Sequence, residues 1–289
     1  MQNINVTRNY HYGSEWIYFK FYMSENIADK FLVEIMSPLI ESFITKKLIL
    51  KWFYIRYSDP DSHLRIRFHL TNVKHISKIS VLIHNNLTSY IKTGFLYKIQ
   101  IDTYKRELER YGFQTIQLCE ELFYLNSNLN LSLIAKYNDS DERFLLGIKF
   151  IDEFLNDFGY NLHDKKELIG ILKKGFSEEF NANKLINQSL SAKYRNLKTE
   201  IKLCLESDEI SFGEIISQHR NPFQLVLINL KKISRENYRV VRNDIIDSLL
   251  HMHCNRLFKT KQRVHEWIVY DFLFRYYEGK QGRLKYTKI

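Results

Sequence analysis

The sequence predicts an α+β protein, in which an N-terminal mixed, mainly antiparallel sheet with packed helices is followed by a mostly helical C-terminal half. Three observations lead to this fold class. Strand and helix patterns alternate over the first 110 residues. A tight-turn sequence at 58–62 joins two strand patterns directly, which is typical of antiparallel neighbours. From about residue 114 onward, apolar residues recur at helical spacing.

Composition and charge limit the class of protein further. The 289 residues are 45% hydrophobic with only 10 Gly and 3 Pro. This composition is sufficient for a hydrophobic core and excludes a disordered or fibrous chain. No linker, low-complexity tract or internal repeat divides the sequence, so we expect one domain over 1–289. The 43 basic and 33 acidic residues give a net charge of +10, which favours anionic partners or substrates. RNA, an acidic lipid surface and an acidic small group all remain open.

The strands are predicted from aromatic and alternating patterns. The segments are 16–22, 51–57, 63–70 and 95–104. The third alternates most clearly, because Leu64, Ile66, Phe68 and Leu70 alternate with basic residues. Since successive side chains of a strand point to opposite faces, the apolar four should enter the core.

The helices are predicted from apolar spacing and from residues that start or stop helices. In the N-terminal half they are 26–43, with Ser24 as N-cap, and 76–92, ended by Gly94. In the C-terminal half they are 114–136, 140–158, 164–181, 183–206, 211–219, 223–232, 237–258 and 261–277, with stops at Gly159, Gly175, Pro222 and Gly279.

The basic face of the strand at 63–70 is the first candidate for chemistry. His63, Arg65, Arg67 and His69 share this face. Arginine binds carboxylates or phosphates through two parallel hydrogen bonds, so the row predicts an anion clamp. The alternative is the solvent-exposed face of an antiparallel sheet.

A second group of charges follows the fourth strand, at 104–112. Arg106 and Arg110 lie near the strand end and could converge with the first row. The alternative is a charged helical turn with internal Glu–Arg pairs, and for Arg110 we prefer that interpretation.

The third candidate is a polar stripe on the predicted helix at 237–258. Asp244, Asp247, His251 and Asn255 lie on one face at helical spacing. An Asp four residues before a histidine can hold its tautomer, as a catalytic base near neutral pH requires. A satisfied surface histidine is the alternative, and His253 lies off the stripe.

Several other classes lack support in the sequence. No glycine-rich phosphate loop, nucleophile elbow, zinc-protease helix, kinase signature or RNA-binding aromatic motif is present. Cys119, Cys204 and Cys254 are far apart and show neither disulfide nor metal spacing. We therefore expect no metal and no cofactor. With no run of about 18 apolar residues, we expect a soluble cytoplasmic protein without stable membrane insertion.

Several blocks stand out in order along the chain: WIYFK at 16–20, ADKFL at 28–32, SPLI at 37–40, WFYIRYSDP at 52–60, HLRIR at 63–67, YKRE at 104–107, RYG at 110–112, EELF at 120–123 and HMHCNRL at 251–257. In this order they closely resemble the C-terminal elimination domain of nisin-type (class I) lantibiotic dehydratases. That domain also occurs as a stand-alone protein in thiopeptide-type bacteriocin biosynthesis. The resemblance spans nearly the whole chain.

The resemblance implies glutamate elimination. In this family a separate domain or protein first esterifies Ser or Thr of a precursor peptide with glutamate from glutamyl-tRNA, and the elimination domain then expels glutamate to leave dehydroalanine or dehydrobutyrine. The family's functional arginines fall on Arg65, Arg67 and Arg106, and its catalytic histidine falls on His251. Arg256 is a further arginine of the family. We predict Arg256, Arg56 and Asp247 as substrate-binding residues.

The resemblance also implies partners. We expect a glutamylated precursor peptide as substrate and a separate glutamylating dehydratase protein, with tRNA not bound directly and a homodimer left open. Two alternatives remain at this point. One is the pyridine-forming cycloaddition enzyme of the same family, and the other is a non-catalytic peptide- or tRNA-binding accessory subunit.

Overall fold

A computed structural model describes residues 6–137, 141–206, 212–233 and 238–286. The N-terminal half is built on a four-stranded sheet in the order β3-β4-β2-β5, and its strands are β2 (Trp16–Met23), β3 (Ile49–Tyr57), β4 (His63–Leu70) and β5 (Leu96–Asp102). A small second sheet pairs β1 (Asn9–Tyr10) with β6 (Tyr104–Lys105). Every pairing among these strands is antiparallel. The predicted fold class is confirmed, although the predicted strand at 95–104 is divided between β5 and β6.

The two faces of the larger sheet bury different cores. Phe19, Ile66 and Phe68 pack on one face with the N-terminal helices. These helices are α1 (Glu25–Phe31), a π-helical turn (Leu32–Met36), α2 (Ser37–Thr45), a 3₁₀ turn (Val73–His75) and α3 (Ile76–Lys92). On the opposite face, Tyr18 and Phe53 belong to the core of the helical half. The sheet is therefore the layer that joins the two halves.

Local signals at the ends of the N-terminal helices behave as the sequence predicts. The Ser24 side chain accepts a hydrogen bond from the Asn26 N–H and caps α1. Gly94 follows α3 with a φ of +74°, a conformation that costs glycine little. The predicted helix at 26–43 is interrupted by the π-helical turn and restarts with Pro38 in its first turn.

Every secondary-structure element that the structure describes in the C-terminal half is a helix. Its helices are α4 (Leu108–Tyr111), α5 (Ile116–Lys136), α6 (Asp141–Asp157), α7 (Leu162–Glu179), α8 (Lys184–Glu206), α9 (Phe212–Ile233), α10 (Tyr238–Leu257) and α11 (Gln262–Tyr286). Gly159 ends α6 at a φ of +83°.

Three predicted helix stops are wrong. Gly175 and Gly279 lie inside α7 and α11, and Pro222 lies inside α9, which replaces the two helices predicted at 211–219 and 223–232. An interior glycine costs only about 1 kcal/mol. Because α7 packs along α11, and α9 along α5, tertiary burial outweighs these local penalties.

Helix α10 is joined to the free edge of β3 by side-chain hydrogen bonds. Asn255 accepts from the Arg56 N–H at 2.8 Å and donates to the Arg56 carbonyl at 2.9 Å. The Arg256 Nε donates to the Tyr54 carbonyl at 2.7 Å. These bonds place the C-terminal part of α10 beside the end of β3.

Within this half, His253 is a fully buried, neutral residue. It stacks on Phe150 with 3.8 Å between ring centroids, and its Nδ1 accepts from the amides of Asn126 and Asn130. Burial, aided by the positive charge of Arg256, lowers the pKa of His253 to about 3. His253 therefore belongs to the core and does not act as a surface base.

This burial predicts a pH-dependent stability. The unfolded state binds a proton near pH 6.5 and the folded state only near pH 3, so stability falls as the pH falls below about 6.5. His253 should account for about 2 kcal/mol of the stability lost between pH 7 and pH 5. We expect the free energy of unfolding of His253→Gln to fall by about 2 kcal/mol less than that of the unmodified protein between pH 7 and pH 5, as measured by urea denaturation. Equal losses in both proteins would contradict the assignment.

Candidate active site

A cleft of 540 Å³ opens between the ends of β3 and β4 on one side and α10 and α11 on the other. Its charged and imidazole lining consists of Glu25, Arg56, Asp59, His63, Arg65, Arg67, Glu107, Arg110, His251, Lys259 and Arg263. The structure thus brings four predicted site residues together, which are Arg56, Arg65, Arg67 and His251. Asp247, Arg106 and Arg256 are not part of the lining.

Arg67 presents a buried cation at the wall of the cleft. Its guanidinium carbon lies 4.3 Å from the ring centre of Tyr18, 5.0 Å from that of Tyr104 and 5.2 Å from that of Phe53. The side chain is 9% exposed, and its Nε has no acceptor among the described residues. Burial lowers the pKa of this guanidinium, but arginine stays charged in proteins. The cation–π contacts hold the charge in place without using its hydrogen-bond donors.

Arg65 is oriented by its neighbours on the same sheet face. Its guanidinium lies 3.4 Å from the ring centre of Tyr57, and its Nε donates to the His63 Nε2 at 3.0 Å. The His63 Nδ1 lies 2.7 Å from the Asp61 carbonyl oxygen, which requires Nδ1 to carry the proton. Burial lowers the pKa of His63, so the imidazole is neutral and accepts from Arg65.

His251 is held by a carboxylate from the next helix. Its Nδ1 lies 2.7 Å from an oxygen of Glu266 on α11, which is 1% exposed. The other Glu266 oxygen accepts from the Tyr270 hydroxyl at 2.9 Å. The Nδ1 proton therefore donates to Glu266, and Nε2 is the imidazole nitrogen left for a substrate.

The residue that pairs with His251 is not the predicted Asp247. Asp247 forms no hydrogen bond with His251 in the structure, and Glu266 takes the place that the sequence pattern assigns to Asp247. Burial and the nearby charge of Glu266 raise the pKa of Asp247. The helix periodicity of α10 alone does not reveal Glu266, because the contact depends on how α11 folds back against α10.

Arg56 forms the wall where β3 ends. Its Nε donates to the Arg256 carbonyl at 3.1 Å and its Nη2 to Asp29 at 2.6 Å, while its buried Nη1 has no acceptor among the described residues. Asp29 also pairs with Arg143 at 2.7 Å. Burial acts to raise the pKa of Asp29, but the two arginines outweigh it and hold the pKa below its usual value.

Arg106 points away from the cleft into the protein. Its Nε and Nη2 donate to the two oxygens of Glu120 at 2.7 and 2.6 Å, and the Tyr104 hydroxyl donates to the same carboxylate at 2.8 Å. Both members of the ion pair are buried. Because Tyr104 lies against Arg67, Arg106 fixes part of the wall around the buried cation without reaching the cleft.

Arg256 also lies behind the cleft wall. Besides Tyr54, it donates to the Asn126 side chain at 3.1 Å, and burial lowers its pKa to about 10. It lines a separate space of 40 Å³ together with Arg67, Tyr104 and Glu107. The predicted substrate-binding residue therefore holds the sheet and α10 together in this structure.

Several cleft residues were missed by the sequence interpretation. Glu25 lines the cleft from α1, Lys259 from the turn between α10 and α11, and Arg263 from the first turn of α11. Arg110 forms the predicted local pair with Glu107, at 3.3 Å, but this pair lies in the cleft wall. No sequence spacing links these residues, since they meet only where α4, α10 and the sheet pack together.

The chain matches a family model described as the lantibiotic biosynthesis dehydratase C-terminal family over residues 16–277, and it belongs to that family. It is 25% identical over 274 residues to the epidermin biosynthesis protein EpiB of Staphylococcus epidermidis, covering 93% of this chain and 27% of EpiB. It is 23% identical to the nisin biosynthesis protein NisB of Lactococcus lactis subsp. lactis, covering 93% of this chain and 26% of NisB. The chain thus spans about a quarter of the length of these relatives.

Solved structures share the fold. The tRNA-dependent lantibiotic dehydratase MibB from Microbispora sp. 107891 superposes with a TM-score of 0.70 at 21% identity, covering 94% of this chain and 28% of MibB. The pyridine synthase TbtD from thiomuracin biosynthesis superposes with a TM-score of 0.65 at 11% identity, covering 92% of this chain and 99% of TbtD. Among the described helices of this chain, none is long and apolar enough to cross a membrane.

Because Arg106 is buried against Glu120, we predict that loss of the Glu120 charge lowers the stability of the protein. Glu120→Gln leaves the buried guanidinium without a negative charge, so we expect the free energy of unfolding to fall by about 3–5 kcal/mol in urea denaturation. Glu109→Gln is the matched control, because Glu109 pairs with Arg8 at the exposed surface and its loss should change the stability little. Equal stabilities of the two variants would show that the Arg106–Glu120 pair does not support the fold.

Proposed function

We propose that this protein is a lyase that eliminates glutamate from glutamylated Ser or Thr of a ribosomally made precursor peptide. The observation that carries the proposal is the presence, in one cleft, of a buried arginine cation whose Nε has no acceptor among the described residues and a histidine held by a buried carboxylate. A β-elimination that expels a carboxylate needs a base and a group that stabilises negative charge. Membership of the dehydratase family supports the same reaction.

The substrate is an ester between the peptide hydroxyl and the α-carboxyl of glutamate, because an aminoacyl-tRNA activates that carboxyl group. The base removes the α-proton of the former Ser or Thr residue. The electron pair of the C–H bond forms the new carbon–carbon double bond, and the pair of the Cβ–O bond leaves with glutamate as a carboxylate. The products are a dehydroamino acid and free glutamate.

His251 is the base in this proposal. Its Nδ1 proton is engaged by Glu266, so Nε2 accepts the substrate proton. The buried carboxylate also stabilises the imidazolium that forms. Asp247 lies one turn away on the same helix and acts only through its charge.

Arg65 and Arg67 bind the glutamyl group in this proposal. One guanidinium pairs with the side-chain carboxylate of glutamate, and the other stabilises the carboxylate that develops as the Cβ–O bond breaks. The buried position of Arg67 strengthens such a pair, because charges interact more strongly away from water. Arg106 serves as a positioning residue through Glu120 and Tyr104, while Arg56 and Asn255 shape the far wall.

The remaining steps of dehydration are assigned to a partner. As the resemblance to the dehydratase family implies, the glutamylation of the precursor peptide is proposed to occur on a separate dehydratase protein. Under this proposal tRNA binds to that partner, and the basic cleft receives the glutamylated peptide.

Pyridine formation by cycloaddition is the second candidate. It is favoured by the match to TbtD over nearly the whole length of that enzyme. The two reactions share a scaffold, and a fold alone does not decide between them. The combination of His251, Glu266 and two cleft arginines favours elimination.

One assay separates the candidates. Chemically glutamylated peptide is incubated with purified, EDTA-treated protein without tRNA or ATP, and the products are weighed by mass spectrometry. Loss of glutamate that leaves the peptide one water lighter than its unmodified form supports elimination. Ring formation with leader release, tested on a peptide that already carries two dehydroalanines, supports cycloaddition. No change in either peptide supports a binding role.

Removal of the base or the cation should abolish this turnover. We expect His251→Ala to lower kcat by about 10²–10⁴-fold and Arg67→Ala by about 10²–10³-fold. Lysine at position 67 should rescue poorly, because an ammonium cannot form two parallel hydrogen bonds. His84→Ala and Arg195→Ala, both at exposed positions, are matched controls. Full dehydration by His251→Ala would refute its role as base.

Loss of the Glu266 charge should weaken the base without removing it. Glu266→Gln keeps the shape but no longer stabilises the imidazolium, so we expect kcat to fall by roughly 10²-fold while KM changes little. The pH profile of kcat should also shift, which simple loss of stability would not produce. Asp247→Asn is the control, and a larger kcat loss in that variant would restore Asp247 as the partner of His251.

A further inference from the structure

The charges in the cleft are of both signs. Six of the lining side chains are permanent cations, which are Arg56, Arg65, Arg67, Arg110, Lys259 and Arg263. Three carboxylates, Glu25, Asp59 and Glu107, share the same walls. The lining is therefore positive overall, and its three carboxylates add negative positions that a cationic group of the same ligand can occupy.

Glu107 is the carboxylate placed beside the buried cation. It lines both the cleft and the adjoining 40 Å³ space that contains Arg67 and Tyr104. Asp59 lies on the exposed turn after β3, and Glu25 begins α1, on the side of the cleft near Arg56. Glu107 directly precedes α4, which packs against α10, the helix that carries His251. Glu107, Arg67 and His251 therefore line one and the same cleft.

The present partner of Glu107 is easily exchanged. Its pair with Arg110 has a separation of 3.3 Å, and both side chains are about half exposed or more, at 63% and 47%. Surface pairs of this kind contribute little to stability, because water screens both charges. A ligand cation that enters the cleft can therefore share or replace Arg110 without a large penalty.

The glutamyl ester has charges that match this arrangement. An α-linked glutamyl group keeps a free ammonium on the carbon next to the ester carbonyl, and its carboxylate lies beyond two methylene groups. The ammonium is therefore close both to the ester that reacts and to the carboxylate that an arginine binds. Arg67 and Glu107 supply a cation and a carboxylate to the lining of the same small space, and together they complement such a zwitterion.

We propose that Glu107 is a specificity-determining residue that binds the α-ammonium of the glutamyl group, so that the cleft selects α-linked aminoacyl esters with a free amine. The inference rests on the proposed function and extends it to the chemical class of the acyl group. N-acylated glutamyl esters and acyl groups without an amine lack the positive charge and are poor substrates.

The test compares two esters of the same peptide. One carries glutamate linked through its α-carboxyl, and the other carries glutarate, which has the same carbon chain and no amine. We expect the unmodified protein to favour the glutamyl ester in kcat/KM by about 10-fold or more. Glu107→Gln should reduce this preference to less than about 3-fold by lowering kcat/KM for the glutamyl ester alone. Glu109→Gln is the matched control, since Glu109 is exposed and outside the cleft lining.

Equal kcat/KM for the two esters in the unmodified protein would overturn the inference and leave the proposed function intact. An equal loss for both esters in Glu107→Gln would overturn it as well, because that result describes a general structural role. If neither ester turns over, the proposed function fails. The inference about Glu107 is then tested by the binding of free glutamate and glutarate. In calorimetry, free glutamate should bind about 10-fold more tightly than glutarate, and only in proteins that retain Glu107. Equal affinities would overturn the proposal.

Discussion

The attachment of helix α10 to the free edge of strand β3 brings the helical half of the cleft against the basic face of the sheet. An edge strand exposes unpaired main-chain groups. Here Asn255 engages both main-chain groups of Arg56, and Arg256 engages the Tyr54 carbonyl. His251 lies one helical turn before Asn255, so these bonds bring it into the same cleft as the basic face of β4. The helical half and the sheet could not form the site separately.

Four arginines of the characteristic motifs have different roles because of their partners. Arg106 is neutralised by Glu120, and Arg256 is bound to main-chain and amide oxygens, so both stabilise the structure around the cleft. Arg65 keeps its orientation through Tyr57 and neutral His63. Arg67 is surrounded by aromatic rings and has no carboxylate partner among the described residues. A buried cation without an anion is costly, and an anionic ligand would offset that cost.

The family scaffold does not by itself determine the reaction. MibB and TbtD share this fold, although one is described as a lantibiotic dehydratase and the other as a pyridine synthase. The reaction depends instead on which side chains reach the cleft and on what holds them there. In the reaction proposed for this chain, the buried Glu266 behind His251 bears on proton transfer, and Glu107 in the wall with Arg67 bears on the choice of acyl group.

The sequence alone determined the fold class, the N-cap at Ser24, the helix end at Gly94 and the shared face of Arg65 and Arg67, because these features follow from local periodicity and backbone preferences. It did not reveal that α9 continues through Pro222, since packing against α5 outweighs the local penalty. Only the tertiary structure assigned Glu266 to His251 and Glu120 to Arg106. Those partners are distant in sequence, and a side chain's role as ligand group or structural support depends on the charge that folding places beside it.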